Sequence, residues 1–208
     1  VGQVVALRGR GIQTLLVSSG AVAAGREALD VTGDGKDLPA RQALAAVGQG
    51  RLMHTYEQLF SANDIPVAQA LLSRRDITDR LGYLNVRNTL AALLEHEVVP
   101  IINENDVVAV DELTGDLFGD NDTLSALVAN LVDADLLVML GEIEGLFTAD
   151  PHLDAAARLI PVVERMDEDL SSMGGPSWGN RGQGGMATKL EAARLATASG
   201  VDTVIASG

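Results

Sequence analysis

The sequence predicts an α/β protein built on a mainly parallel sheet with helices on both of its faces. Two observations carry this prediction. Short apolar runs alternate with longer segments of helical spacing along the chain. Aromatic residues make up only 3% of a 208-residue composition that is 47% hydrophobic. The core is therefore Val, Leu, Ile and Ala, the residues of strands covered on both sides. A chain of this length buries one substantial core, and no low-complexity stretch divides it.

The elements follow in order. Residues 12–18 form an apolar run ending in Ser18-Ser19-Gly20, read as a strand, and the Ala-rich stretch 21–29 as the helix after it. Beyond a polar loop at Gly33-Asp34-Gly35-Lys36, residues 39–62 carry apolar positions at three- and four-residue intervals, with Pro39 suited to a first helical turn. A strand is expected over 65–72, a helix over 79–96 and a buried strand over 98–102. Residues 107–118, with Thr114-Gly115 at their middle, fit a β-hairpin flap. Then come a helix over 123–132, a fully apolar strand over 136–140, a helix over 186–199 and a last strand over 203–206. Strands separated by helices imply βαβ units, and sites in such sheets lie beyond the carboxyl ends of the strands. Ser18-Ser19-Gly20, Asn103 to Asp106, Gly141-Glu142 and Ser207-Gly208 all fall at such ends.

Composition excludes several classes. Without cysteine there is no disulfide, no thiolate chemistry and no Cys-based zinc site. No apolar run approaches membrane-spanning length and no signal pattern opens the chain, so the expectation is a cytoplasmic protein with no membrane partner. A net charge of −14 argues against nucleic acid, whose phosphates need a basic footprint. An anionic ligand must meet local positive potential instead. Lysine is scarce, only Lys36 and Lys189, so a lysine following a glycine-rich loop stands out.

That loop is Gly182-Gln183-Gly184-Gly185-Met186-Ala187-Thr188-Lys189, running straight into a helix. Glycines let the backbone approach a phosphate, free N–H groups at the helix start attract anions, and Lys189 adds a full charge. The competing reading is a flexible loop before an ordinary helix. The string is neither a Walker loop nor the dinucleotide fingerprint. Asn103, Asp106, Asn121 and Asp122 belong to two dense runs of short amides and carboxylates, Asn103-Glu104-Asn105-Asp106 and Gly119-Asp120-Asn121-Asp122, which suit a small polar charged molecule. Their spacing does not follow a calcium loop. Ser18-Ser19-Gly20 suits an anionic oxygen, although alone it reads as a simple capped helix. Gly145 to Pro151 reads either as a wall for a base or ribose or as a turn. His54, His96 and His152 are spread too widely for a triad.

Taken together, several strings resemble the amino acid kinase family and, within it, the glutamate 5-kinases. They are Val17 to Gly25, Gly48-Gln49-Gly50, Tyr83 to Leu90, Pro100 to Asp106, Phe118 to Ala126, Gly145 to Pro151 and Gly184 to Lys189. The resemblance implies a three-layer αβα sandwich with a mainly parallel central sheet. It also implies transfer of the γ-phosphoryl group of ATP to the side-chain carboxylate of L-glutamate, the first step towards proline. By that resemblance Ser19, Asp106 and Asn121 contact glutamate with Asn103 close by, Asp122 organises the catalytic groups and Lys189 stabilises the migrating phosphoryl group. The nucleotide lies along Gly141-Glu142 and Gln183, Gly184, Gly185, Met186, Ala187, Thr188 and Lys189. Mg2+ is expected with ATP because it screens the phosphates. No metal ligand is assigned. Proline as a feedback inhibitor and a homo-oligomeric state belong to the same implication.

Gly141-Glu142 stands where the family commonly has Thr-Asp, and Gln183 where threonine is frequent. The family's domain opens with a strand bearing Lys-x-Gly-Ser. The resemblance therefore implies a single kinase domain over 1–208 that lacks its first strand and its C-terminal end, with substrate binding in roughly residues 1–134 and nucleotide binding in 135–208. Two alternatives stay open: a related kinase acting on another acid, such as N-acetylglutamate or aspartate, and a catalytically silent ligand-binding module of the same fold.

Overall fold

The computed structural model describes residues 1–31, 37–108, 121–166 and 185–208. The loop around Lys36, the expected hairpin from residue 109 onward, Gly119-Asp120 and Gln183-Gly184 lie outside them. The chain divides into two compact units, Val1–Asp116 and Leu117–Gly208. All strand pairing between named strands is parallel, as the alternating pattern predicts.

In the first unit the described elements are α1 (Gly2–Arg8), β1 (Leu16–Val17), α2 (Ala21–Leu29), α3 (Leu38–Ser61), β2 (Val67–Leu72), α4 (Arg74–Thr78), α5 (Arg80–Glu95) and β3 (Val99–Glu104). The sheet order is β1-β3-β2. β3 is central and reads as a continuous apolar run because both its faces are covered, with Val99, Ile101 and Ile102 at most 2% exposed. Phe60 of α3 packs on Val99 and Ile101, joined by Val4, Leu16, Met53, Tyr56, Ile65 and Val67.

β1 is shorter than the run 12–18 suggested, and Pro100 explains why. The Val99 N–H points toward β2, where it donates to Pro66 O, and Ile102 O accepts from Ser18 N on the opposite side. By that alternation the nitrogen of Pro100 faces β1, and proline has no N–H to give. Pairing between β1 and β3 therefore starts at Leu16↔Ile101.

Helices α2 and α3 meet backbone to backbone. A Cβ built on Gly48 would stand 1.7 Å from Ala21 O, and one on Gly25 would stand 1.9 Å from Leu44 O. The string Gly48-Gln49-Gly50 therefore carries a packing requirement at its first glycine. α3 starts where Pro39 suggested, with the Asp37 carboxylate accepting from Ala40 N at 2.9 Å. Two short helices, α1 and α4, have no counterpart in the sequence reading, since neither is long enough to show a period. α4 does carry a legible start: Ser73 donates its N–H and its hydroxyl to Asp76, at 2.8 and 2.6 Å.

The second unit holds α6 (Asn121–Leu131), β4 (Leu136–Gly141), α7 (Met186–Ala198) and β5 (Asp202–Ser207), with β4 paired to β5. Ala126 and Ala129 of α6 share one buried cluster with Ala192, Ala193 and Ala196 of α7 and with Leu137 and Met139 of β4. Side chains this small let the two helices approach closely over β4. After β4, residues 146–160 are tied together by the antiparallel bridge Phe147↔Leu159 and by Ile160 N donating to Leu146 O at 2.7 Å.

Candidate functional site

The alanine seam between α6 and α7 also sets the chemistry at their first turns. Asp122, Ala126 and Ala129 follow one another at helical spacing on α6, and Lys189, Ala192/Ala193 and Ala196 do so on α7. The same faces that bury alanine therefore bring the acid and the lysine together one turn earlier. Lys189 Nζ lies 2.9 Å from both Asp122 Oδ1 and Oδ2. The side chains are only 13% and 15% exposed. Thr188 Oγ1 stands 2.8 Å from Asp122 Oδ2 and 2.8 Å from Gly185 O. Ser125, one turn into α6, donates its hydroxyl to Asp122 O at 2.6 Å.

Two helix N-termini thus converge on one carboxylate and one ammonium. The first N–H groups of each helix have no partner within the helix and carry its positive end. Asp122 is the compensating negative charge, so the locus suits an incoming anion once Lys189 turns toward it. Gly185 caps α7 in an extended conformation without a side-chain bond. Met186 is buried against Leu146 and Leu190, whereas Ala187 is exposed. Gly141 ends β4 beside this group: a Cβ there would stand 3.2 Å from Lys189 Cε. Its oxygen accepts from Gly208 N at 3.0 Å, and Glu142, the next residue, is exposed.

In the first unit the carboxyl edge of the three-stranded sheet gathers the other polar string. Val17 is in register with Ile102, so Ser18-Ser19 and Asn103 leave adjacent strands side by side. Asn103 is 5% exposed and its Oδ1 accepts from Glu104 N at 2.9 Å. Asn105 N donates to Leu72 O at 2.8 Å, which turns the chain into the Asp106 segment. Ser19 is exposed, followed by Gly20 at φ 95°, a left-handed conformation that favours glycine. Its neighbour Ser18 is buried, with its hydroxyl 2.9 Å from Tyr56 OH.

Ser19, Asn103 and Asp106 therefore lie at one sheet edge. Gly141, Gly185, Thr188 and Lys189 gather with Asp122 in the other unit, with Asn121 as the residue before Asp122 at the start of α6. Gln183 and Gly184 lie outside the described residues. Sequence reasoning missed Tyr56, whose hydroxyl meets that of Ser18, and, within Gly48-Gln49-Gly50, gave no role of its own to Gln49, whose Oε1 accepts from Gln69 Nε2 at 3.4 Å. Both sit in helix or strand interiors, where a polar residue gives no local signal. The spacing of Asp122 and Lys189 to their alanines is present in the string, but which two helices pack along those alanines is not, so the contact itself was not readable. His54, His96 and His152 are all exposed and do not adjoin these groups.

Parallel strands, with two helix N-termini and a lysine gathered at a strand end, make an α/β arrangement whose local positive potential suits an anionic group. The amino acid kinase family model matches residues 1–207. A glutamate 5-kinase of Dehalococcoides mccartyi is 54% identical over 206 residues, 99% of this chain and 55% of that protein. One from Herpetosiphon aurantiacus is 55% identical over the same shares. One from Clostridium tetani is 47% identical over 208 residues, all of this chain and 77% of the relative. The chain spans about half the length of the first two of these curated relatives. It belongs to the amino acid kinase family and, within it, to the group of the glutamate 5-kinases. Among solved structures, an isopentenyl phosphate kinase superposes with a TM-score of 0.58 over 97% of this chain and 78% of its own, at 15% identity. E. coli aspartokinase III in complex with aspartate and ADP gives 0.55 over 89% and 41%, also at 15% identity. These two share the fold.

Proposed function

We propose that this chain is part of an enzyme that transfers the γ-phosphoryl group of ATP to the side-chain carboxylate of L-glutamate, forming glutamyl 5-phosphate on the way to proline. The observation that carries the reading is the Lys189 ammonium held on Asp122 between the first turns of α6 and α7. A carboxylate acceptor is ionised at neutral pH and needs no general base. Catalysis reduces to aligning two mutually repelling anions and neutralising the group in flight. A mobile ammonium and helix N-termini do that work.

Lys189 stabilises the migrating phosphoryl group, and Asp122 holds the lysine until that group arrives. The phosphates lie on the glycine loop and the start of α7, with Gly141-Glu142 beside the nucleotide. Ser19, Asn103, Asp106 and Asn121 serve the amino acid. Roughly residues 1–134 thus act on glutamate and 135–208 on the nucleotide. Both oxygens of Asp122 are engaged by Lys189, and among the described residues no three His, Asp or Glu gather as a metal site. Mg2+ enters with ATP, whose phosphate charge it screens. Among the described residues no helix is long and apolar enough to cross a membrane. A cytoplasmic location, inhibition by proline and a homo-oligomeric state complete the proposal.

The test is ATP-dependent hydroxamate formation by the gene product that contains this chain, offered glutamate, aspartate and N-acetylglutamate in parallel. Product with glutamate alone is the expected result. Product with another acid reassigns the substrate, and none with any of the three leaves a silent ligand-binding module.

A further inference from the structure

The side chain of Thr188 is turned toward Asp122. Its Oγ1 stands 2.8 Å from Asp122 Oδ2 and 2.8 Å from Gly185 O, two acceptors facing a hydroxyl that has one proton. The bond to Gly185 O is the ordinary local option for a threonine at a helix start. The bond to Asp122 joins α7 to α6, across 66 residues of chain. A carboxylate rotates freely about its terminal torsion unless something fixes its plane. Here Oδ1 is held by Lys189, and Oδ2 by Lys189 and Thr188 together.

This arrangement has a consequence at the moment of transfer. When Lys189 leaves Asp122 for an anion, the carboxylate loses its cation and keeps only the threonine hydroxyl among these three bonds. We propose that Thr188 is a positioning residue: its hydroxyl fixes the plane of the Asp122 carboxylate, so that Lys189 is aimed before transfer and recaptured after it. The nucleotide is met by the backbone of residue 188 and not by its side chain. This inference rests on the kinase reading of the same site and adds a role for a group that the loop motif assigned to the nucleotide.

The experiment compares wild type with Thr188→Val, which keeps the shape and removes the hydroxyl, and with Thr188→Ser, which restores it. In the full-length gene product, Thr188→Val lowers kcat about tenfold or more while the KM for ATP stays within about twofold, and Thr188→Ser recovers most of the rate. A rise in the KM for ATP at unchanged kcat would make the hydroxyl a nucleotide contact and overturn the proposal. Equal losses in both variants, matched by equal loss of thermal stability, would overturn it as well, reducing Thr188 to a packing role.

A second readout does not depend on turnover. The ammonium resonance of Lys189, identified by its disappearance in Lys189→Arg, is protected from solvent exchange in wild type, lost in Thr188→Val and regained in Thr188→Ser. If wild type proves inactive with glutamate, the kinase reading fails while this resonance still decides the role of Thr188. An unchanged resonance in Thr188→Val would refute that role.

Discussion

The methylene chain of Lys189 crosses the end of β4 at Gly141 so closely that a Cβ on residue 141 would stand 3.2 Å from Lys189 Cε. The missing side chain is thus part of how the lysine is seated. In Gly141→Ala the lysine stem must shift by a few tenths of an ångström, which the flexible chain allows but which moves the ammonium. Phosphoryl transfer is sensitive to such offsets, so kcat falls about three- to tenfold. Steady-state kinetics with ATP varied checks this, and the KM for ATP should hardly move.

The two glycines around Gln49 behave in opposite ways. Gly48→Ala drives a methyl into Ala21 O and the Gly25 backbone, so α2 and α3 must separate, and stability falls by ~2–3 kcal/mol or more. Gly50, on the same helix, has nothing within 4 Å of its would-be Cβ. Gly50→Ala therefore raises stability by about 0.5–1 kcal/mol through helix propensity. Urea unfolding of the two variants gives the signs directly.

How much of this was legible beforehand depended on the length of each signal. α2, α3, α5, α6 and α7 were readable because each repeats its apolar spacing over more than two turns, and β2 to β5 because each is a short, mostly apolar run between helical segments, β4 being apolar throughout. α1 and α4 are too short to show a period, and β1 was overestimated because Pro100, a residue of another strand, ends its pairing. At the site, glycine chemistry flagged the loop before α7, and the polar density flagged Asn103 to Asp106 and Asn121-Asp122. The direct pairing of Lys189 with Asp122 was hidden, since their contact depends on an alanine seam between helices far apart in the sequence.

The start of α4 gives stability a pH dependence. Bonds from the Ser73 hydroxyl and N–H, aided by the Arg75 charge, hold the Asp76 carboxyl below its ordinary value of 3.8 despite some opposing burial. A carboxyl whose folded value is lowered stabilises the fold at pH above the unfolded value, and the benefit disappears as pH falls through the folded value. Asp76→Ala therefore loses about 0.5–2 kcal/mol at neutral pH. The gap to wild type begins to narrow as the pH falls past the ordinary carboxyl value of 3.8 and closes as it passes through the lower folded value. Thermal melts from pH 7 to pH 3 measure it.

Amino-acid recognition is tested at two short polar groups. On the proposed assignment, Asp106→Ala and Asn121→Ala each remove a bond to a charged end of glutamate, worth roughly 1.5–3 kcal/mol, so the KM for glutamate is expected to rise about tenfold or more. The KM for ATP is expected to stay near that of wild type. A rise in the ATP constant with the glutamate constant unchanged would mean that the two subsites are exchanged.

The most direct test of the account is the replacement of Lys189 by arginine in the full-length gene product. A guanidinium makes a planar two-bond fork with a carboxylate, so at this position it locks onto Asp122 and cannot release to follow a compact phosphoryl group. The measurement pairs acyl-phosphate formation from glutamate, trapped as hydroxamate, with ATP binding by calorimetry. The account predicts that Lys189→Arg loses at least about a hundredfold in rate while binding ATP within a few-fold of wild type. A variant that keeps most of its rate would contradict the central claim, because the ammonium on Asp122 would then have no part in transfer.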